Sequence, residues 1–361
     1  MRCCAKPSRR ARCISAVAGL VCSAPVLAVD DRPRPTISQP ATSRPGTRPA
    51  AASAPRRDPV FAVHFVDVGI GDAAIIDVGD HEIVIDGGDS INILADYAQK
   101  TGVIADPIEL LVISHQDIDH WRGLGQLLGF DGVSSHPFRA LELWDPGYDG
   151  RCHALAGYAE LLRDLAATPG LTLVRPLGAT HRPATITGAP RSIVLPQLPE
   201  AKITVLAVDA RPHDEDCAYE VNDTSIVLML EIDGVRMLFA GDETGKQREQ
   251  SGDVAPGHVE ARLLALEQVR PGTLRADVLK VPHHGSETSS TQEFIDAVNP
   301  RFVIISASAA YHVPKATVVQ RYDDGLRTML RTDRDPEANN DHIVCRKRAA
   351  APIDCRYASE W

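Results

Sequence analysis

Short apolar runs, each stopped by Gly, Asp or Pro, set the rhythm of the chain from residue 60 onward. Residues 60–68 predict a strand ending at Gly69-Ile70-Gly71-Asp72, and residues 73–78 predict a second. Glu82-Ile83-Val84-Ile85 predicts a third, stopped by Asp86-Gly87-Gly88. Aliphatic and β-branched runs closed by turn formers are strand signals, and three in succession predict a meander. Residues 90–101 predict a helix, 110–114 a buried strand, and 121–128 the start of another helix. Between 129 and 201 the pattern weakens, leaving one helix expected over 154–167 among proline-containing loops. Strands follow at 203–208, 226–232 and 235–240, the last two joined by an Asp233-Gly234 hairpin turn. A helix over 259–268 and strands at 277–282 and 302–306 come next, and the segment flanked by Cys345 and Cys355 suits a hairpin.

The first 57 residues do not share this rhythm. Arg9-Arg10-Ala11-Arg12, a short apolar run from Ile14 to Leu27 and the small residue Ala28 have the layout of a secretory signal cleaved after Ala28. The run is too short and too rich in Ala and Ser for a spanning helix. Pro, Ala, Arg, Ser and Thr dominate residues 29–57, which cannot bury enough apolar surface to offset ordering and read as an extended linker. The expected organisation is a signal at 1–28, a linker at 29–57 and a folded domain at 58–361, in a periplasmic or secreted protein whose mature part has no transmembrane segment. Of the eight cysteines, Cys152, Cys217, Cys345 and Cys355 lie beyond the signal, without CxxC spacing. They suit two disulfides in an oxidising compartment better than a zinc ribbon. Cys345 with Cys355, and Cys152 with Cys217, is the preferred pairing of three.

Chemistry collects where the strands end. Asp86, the Ser114-His115-Gln116-Asp117-Ile118-Asp119-His120 turn, Asp242 and His283-His284 each follow an apolar β run. Strand ends on one sheet edge are where a site assembles from distant sequence. Two imidazoles and two carboxylates within six residues suit a divalent transition metal, and the full set suffices for two ions.

These residues also occur in motifs with a familiar order: Asp67-Val68-Gly69-x-Gly71-Asp72, Ile85-Asp86-Gly87-Gly88, Ser114-His115-x-Asp117-x-Asp119-His120, Asn222-x-x-Ser225, Gly241-Asp242 and His283-His284-Gly285-Ser286. The chain from about Phe61 to Asp333 thereby resembles metallo-β-lactamase-fold hydrolases, and within them the hydrolase domain of ComEC-type DNA-uptake proteins. The resemblance implies an α+β fold, a four-layer αββα sandwich with the site on one sheet edge. It implies that His115 and Asp117 hold a first metal, that Asp119 and His120 hold a second, and that Asp242 bridges them. One of His283 and His284 completes the second site; the choice between them stays open. Asp86 would orient ligands from beneath the centre. The branch places Asp117 where much of the superfamily has histidine, and Asn222 stands where many members have a further histidine ligand. Oxygen in place of imidazole hardens the first site, so zinc is expected, with manganese as competitor. Ile70 and Arg122 also depart from the usual pattern of the branch.

The implied reaction is metal-dependent hydrolysis of a phosphodiester, in which two metals acidify a bridging water to hydroxide and Asp119 and Asp242 are essential. Ser286, Lys280 and His312 are candidate helpers, although Lys280 reads rather as a strand residue facing solvent. Trp121 and Trp144 read as core, and His136, His153, His181, His213, His258 and His342 as solvated. Amide, thioester or lactone hydrolysis on the same scaffold, and a non-catalytic metal-containing envelope-binding module, are the competing readings. The expected partner is a small-molecule or envelope phosphodiester. DNA is disfavoured: the formal net charge is −10, and losing the basic signal makes the remainder more acidic still. Such a chain lacks the general attraction that drives nucleic-acid binding.

Overall fold

The computed structural model describes residues 60–130, 137–147, 156–174, 191–208, 220–248, 250, 254–335 and 340–361. The signal and linker expected at 1–28 and 29–57, and the expected Cys152–Cys217 pairing, fall outside these residues.

The described strands are β1 (Phe61–Phe65), β2 (Ala74–Asp77), β3 (Glu82–Ile85), β4 (Ile108–Val112), β5 (Ala140–Trp144), β6 (Thr172–Val174), β7 (Arg191–Leu195), β8 (Leu198–Ala207), β9 (Val227–Ile232), β10 (Val235–Phe239), β11 (Val278–Lys280), β12 (Phe302–Ile305), β13 (Thr328–Arg331), β14 (Ile343–Lys347) and β15 (Asp354–Tyr357). They form two mixed sheets, ordered β15-β14-β1-β2-β3-β4-β5-β6 and β13-β12-β11-β10-β9-β8-β7. The expected meander is present, with β1, β2 and β3 antiparallel neighbours. From β3 to β6 and from β10 to β13 the pairing is parallel, so within each group the C-terminal strand ends share one edge. Asp233 and Gly234, both at positive φ (47° and 77°), turn β9 into β10 as an Asp-Gly pair should.

Three apolar clusters explain the layering. Between the sheets, Phe61, Val63 and Phe65 of β1 pack with Leu228, Met237 and Phe239 of the second sheet. Alternate residues of the first sheet, Ile75, Val84 and Leu111 among them, point outward beneath helices Ile93–Thr101 and Ala156–Ala166. On the other outer face Leu238, Leu279 and Val303 meet helices His258–Val269, Gln292–Val298 and Ala316–Tyr322. This is the expected αββα sandwich, whose central strands divide their apolar residues alternately between an inner and an outer core. The weakly patterned region from 129 to 201 contributes β5 to β7 and the start of β8 as well as the expected helix, and the strand expected at 203–208 is the second half of β8.

Cys345 and Cys355 face one another in the β14–β15 register and form a disulfide. Trp144 is core, and Trp121 packs against the outer cluster while its indole N–H donates to the Gln116 carbonyl. Two histidines expected in solvent are engaged with the fold instead. His258 is buried with Nδ1 2.9 Å from Asp223 Oδ2, and the half-buried His342 accepts the Asp67 backbone N–H at Nδ1, 3.0 Å away. His136, His153, His181 and His213 lie outside the described residues. Among the described residues, no helix is long and apolar enough to cross a membrane.

Candidate metal centre

Strand ends from both sheets converge on one carboxylate, that of Asp242. Asp86 follows β3, the His115-to-His120 turn follows β4, Asp242 follows β10, and His283 and His284 follow β11. The local backbone is unusual where it must aim a side chain. Asp86 sits at φ 61°, and His283, His284 and Gly285 take φ 50°, 52° and 78° in succession. Left-handed non-glycine residues persist only where their surroundings hold them, and they concentrate at functional sites. Here the Asp86 N–H donates to the Val112 carbonyl at 2.9 Å, and the His283 N–H to the Gly241 carbonyl at 3.1 Å.

The four imidazoles are oriented alike. His120 Nδ1 lies 2.9 Å from Asp86 Oδ2, His284 Nδ1 3.1 Å from the Ser306 carbonyl, His283 Nδ1 2.8 Å from Thr288 Oγ1, and His115 Nδ1 3.1 Å from Ser114 Oγ. A carboxylate and a carbonyl only accept, so the Nδ1 atoms of His120 and His284 carry the proton. Ser114 Oγ donates to Asp86 Oδ2 at 2.7 Å, leaving its lone pairs for His115. Each Nε2 then faces Asp242: 3.2 Å for His284, 3.4 Å for His120, 3.9 Å for His283 and 4.0 Å for His115. His284 Nε2 is also 3.4 Å from Asp119 Oδ2, and His115 Nε2 is 3.5 Å from Asp117 Oδ2.

Nε2 of His115, His120 and His284 and Oδ1 of Asp242 are buried without a hydrogen-bond partner. Each such orphan costs roughly 1–3 kcal/mol, and four converging on one place are what a cation would satisfy. His115, His120 and Asp242 form one compact donor group, and Asp119, His120 and His284 another. Mixed imidazole and carboxylate donors suit a divalent transition metal. The charges agree. Burial opposes ionisation of Asp242, but His284, His120 and His283 outweigh it and hold the carboxyl well below its usual range. Burial likewise opposes protonation of His120, and Asp242, Asp86 and Asp119 overcome it, raising the imidazole well above its usual value. The carboxylates around His120 thus favour positive charge there, whereas burial pushes His283 down to about 4 and leaves it a neutral donor.

The expected residues are therefore largely brought together. Asn222 is adjacent to His283, Nδ2 to Nε2 3.4 Å, and its Oδ1 is a buried orphan. Asp86 accepts from Ser114 N–H and Oγ, both at 2.7 Å, besides His120. Beside the centre is a cleft of about 510 Å³ whose wall includes Ile70, Arg248, Ser286, Tyr311 and Lys315. His312 is exposed, and its loop meets the cleft through Tyr311, Val313 and Lys315. Arg122 pairs with Asp89 at 3.0 Å. Lys280, expected toward solvent, is buried and ion-paired with Asp72. Asp72 had a place in a motif but no expected role, yet its Oδ1 is 3.3 Å from His284 Nδ1 and its Oδ2 3.9 Å from His120 Nδ1. The available signal was strand alternation: Val278 faces the inter-sheet core and Leu279 the outer one, so position 280 points inward. In the same loop as Asp72, Gly71 is pressed against the His115-to-His120 turn, a Cβ built on it falling 1.7 Å from the Asp119 carbonyl oxygen.

Residues 66–308 match the family model described as the Metallo-beta-lactamase superfamily. The chain belongs to that superfamily. Among curated proteins, this superfamily member is 33% identical over 116 residues to ComE operon protein 3 of Bacillus subtilis (strain 168), which supports the ComEC-like branch. The match covers 32% of the chain and spans only 13% of that relative's length. Similar solved structures include the metallo-beta-lactamase fold protein YhfI from Bacillus subtilis, at 10% identity and TM-score 0.42, covering 75% of this chain and 96% of that one. The diiron β-hydroxylase CmlA from Streptomyces venezuelae is 13% identical with TM-score 0.43, covering 75% and 52%. Zn(2+)-bound PqqB from Methylobacterium extorquens is 12% identical with TM-score 0.39, covering 74% and 97%.

Proposed function

We propose that this chain is an exported hydrolase that holds two divalent metal ions and cleaves a phosphodiester. The observation that carries the reading is the common orientation of four imidazoles, each tied at Nδ1 and each turning Nε2 toward Asp242. Asp119, His120 and His284 would hold one ion, and Asp242 would bridge to the other. His115 and Asp117 would serve the first site with Asp242, and His283, on the Asn222 side, would be its fourth protein donor. Zinc suits the imidazoles, and the carboxylate oxygens leave manganese a competitor. When bound, the metal pair would supply Lewis acidity and an acidified water.

The protein's own groups do the rest. Asp86 and the Ser306 carbonyl hold the Nδ1 proton of His120 and His284, so the proton each raised imidazole gives up to a metal is the one on Nε2. Ser114 and Thr288 orient the other two rings. Ser286, buried at the cleft wall, would offer a hydroxyl to a substrate oxygen. Arg248 and Lys315 share the cleft wall with Asp89 and Glu287, so the preference for an anionic ester over a neutral lactam, thioester or lactone would come from the metal pair. The overall acidity of the chain favours a small or envelope phosphodiester over DNA. Export is supported by the N-terminal signal pattern and by the Cys345–Cys355 disulfide, which suits an oxidising compartment.

The test is metal content together with turnover of bis(p-nitrophenyl) phosphate, a lactam, a thioester and a lactone, for the native chain and Asp119→Ala. Expected are two ions per chain, preference for the diester, and a loss exceeding about 100-fold in Asp119→Ala with one ion gone. Preference for a neutral substrate would replace the diester reading. Metal without any turnover would leave the binding module standing.

A further inference from the structure

Lys280 lies on the inner face of the second sheet and reaches Asp72, in the β1–β2 loop of the first. Both are nearly excluded from solvent, at 3% and 6% exposure. Asp72 lies behind both imidazoles assigned above to the second metal, 3.3 Å from His284 Nδ1 and 3.9 Å from His120 Nδ1. The hydrogen-bond acceptors proper are elsewhere: the Ser306 carbonyl for His284 and Asp86 for His120. The Asp72 carboxylate therefore adds charge rather than a new hydrogen bond, and Lys280 offsets that charge.

We propose that Asp72 and Lys280 are an opposed pair of positioning residues that set the affinity of the second metal site, which rests on the two-metal reading above. A carboxylate behind a ligating imidazole stabilises the partial positive charge the ring acquires on giving its Nε2 lone pair to a cation. Asp72 does this for His284 and, more weakly, for His120. Lys280 does the reverse, because an ammonium buried close to a dication repels it in a medium that screens poorly. It also holds the Asp72 carboxylate in place, where alone it would be a buried uncompensated charge. The pair thus moderates the affinity of the site while keeping the loop docked.

A purely structural salt bridge predicts something different. Breaking it from either side would loosen the same contact, and both single variants would bind metal more weakly. The opposed-charge assignment predicts effects of opposite sign. The experiment is chelator-competition titration of zinc into metal-free Asp72→Asn, Lys280→Met and the double variant, with folding checked by urea denaturation. Asp72→Asn is expected to lose about 10–100-fold in second-site affinity. Lys280→Met is expected to match or exceed the native affinity, and any decrease in that variant overturns the proposal. Should Lys280→Met fail to fold, the double variant decides, since it leaves no unpaired charge. Affinity above that of Asp72→Asn supports the assignment, and affinity at or below it overturns it. A native chain that binds no zinc would overturn the two-metal reading instead, and is told apart by that result alone.

Discussion

Replacing Asp86 by Asn should disable a metal site through a proton on a residue that is not mutated. Asp86 Oδ1 accepts the Ser114 N–H at 2.7 Å, and Oδ2 accepts Ser114 Oγ at 2.7 Å and His120 Nδ1 at 2.9 Å. An asparagine can be seated in only one way, because its NH₂ cannot face the Ser114 N–H. The amide oxygen stays on the Ser114 N–H, and the NH₂ is left facing His120 Nδ1. That nitrogen must then accept, and the neutral ring carries its proton on Nε2, the atom 3.4 Å from Asp242 Oδ1. The lone pair a metal needs is gone. Three charge-assisted bonds become neutral or repulsive, costing roughly 3 kcal/mol of stability, which a domain with about 5–15 kcal/mol survives. Metal affinity at the His120 site should fall about 10–100-fold. Chelator competition reads the affinity, and long-range ¹H–¹⁵N correlation spectra of the metal-free protein at alkaline pH read the His120 tautomer. A folded Asp86→Asn variant with native zinc affinity, or with the neutral His120 proton still on Nδ1, would refute the reasoning.

Other perturbations separate the scaffold from the site. Burial first, then Arg346 and His342, push His64 down to about 4 from the ordinary 6.5 that it keeps in the unfolded chain. Between those values the unfolded chain binds more protons, so stability falls on acidification through that window, by roughly 3 kcal/mol at full extent; His64→Gln should flatten this part of a denaturation-versus-pH curve. Cys345→Ser with Cys355→Ser opens a link of sequence separation 10 and should cost about 2–3 kcal/mol, read by urea midpoint, while leaving zinc stoichiometry unchanged. His312→Ala should change diester turnover by less than about twofold, since the side chain is exposed while Tyr311, Val313 and Lys315 form the nearby wall; a larger loss would restore His312 as a catalytic group.

The sandwich was legible because its strands announce themselves one at a time. Residues such as Phe61, Val63 and Phe65 are apolar on an inward face, and Gly and Asp mark where each run stops. The candidate metal-binding turn was legible for a similar reason: His115, Asp117, Asp119 and His120 are neighbours in sequence, so their convergence needs no knowledge of the fold. What stayed hidden were pairings between distant segments. Lys280 looked like a surface residue because its partner Asp72 arrives from another sheet. His258 and His342 looked solvated for want of any local sign of Asp223 or of the Asp67 N–H. The strands β5 to β7 and the first half of β8 were faint; in β8 the exposed Pro199, Glu200 and Lys202 break the apolar pattern, and only its second half, expected at 203–208, keeps a sustained run. Spacing alone also left His283 and His284 equivalent. Backbone turns place one beside Asn222 and the other between Asp119 and Asp242.

Gly71 offers no side-chain atom to a metal or a substrate, yet it belongs to the chemistry of the site. The space a side chain would need is already filled by the backbone of Asp119, and φ of 95° suits no other residue. Glycine at such a point is a measure of closeness and not of slack. The two loops fit like a die and its stamp, so the spacing of the centre is cut by main chain as much as by ligands. In a screen for lost activity position 71 would therefore score with the histidines. A designer seeking to retune the site would find that reshaping this loop moves Asp119 without altering a single donor.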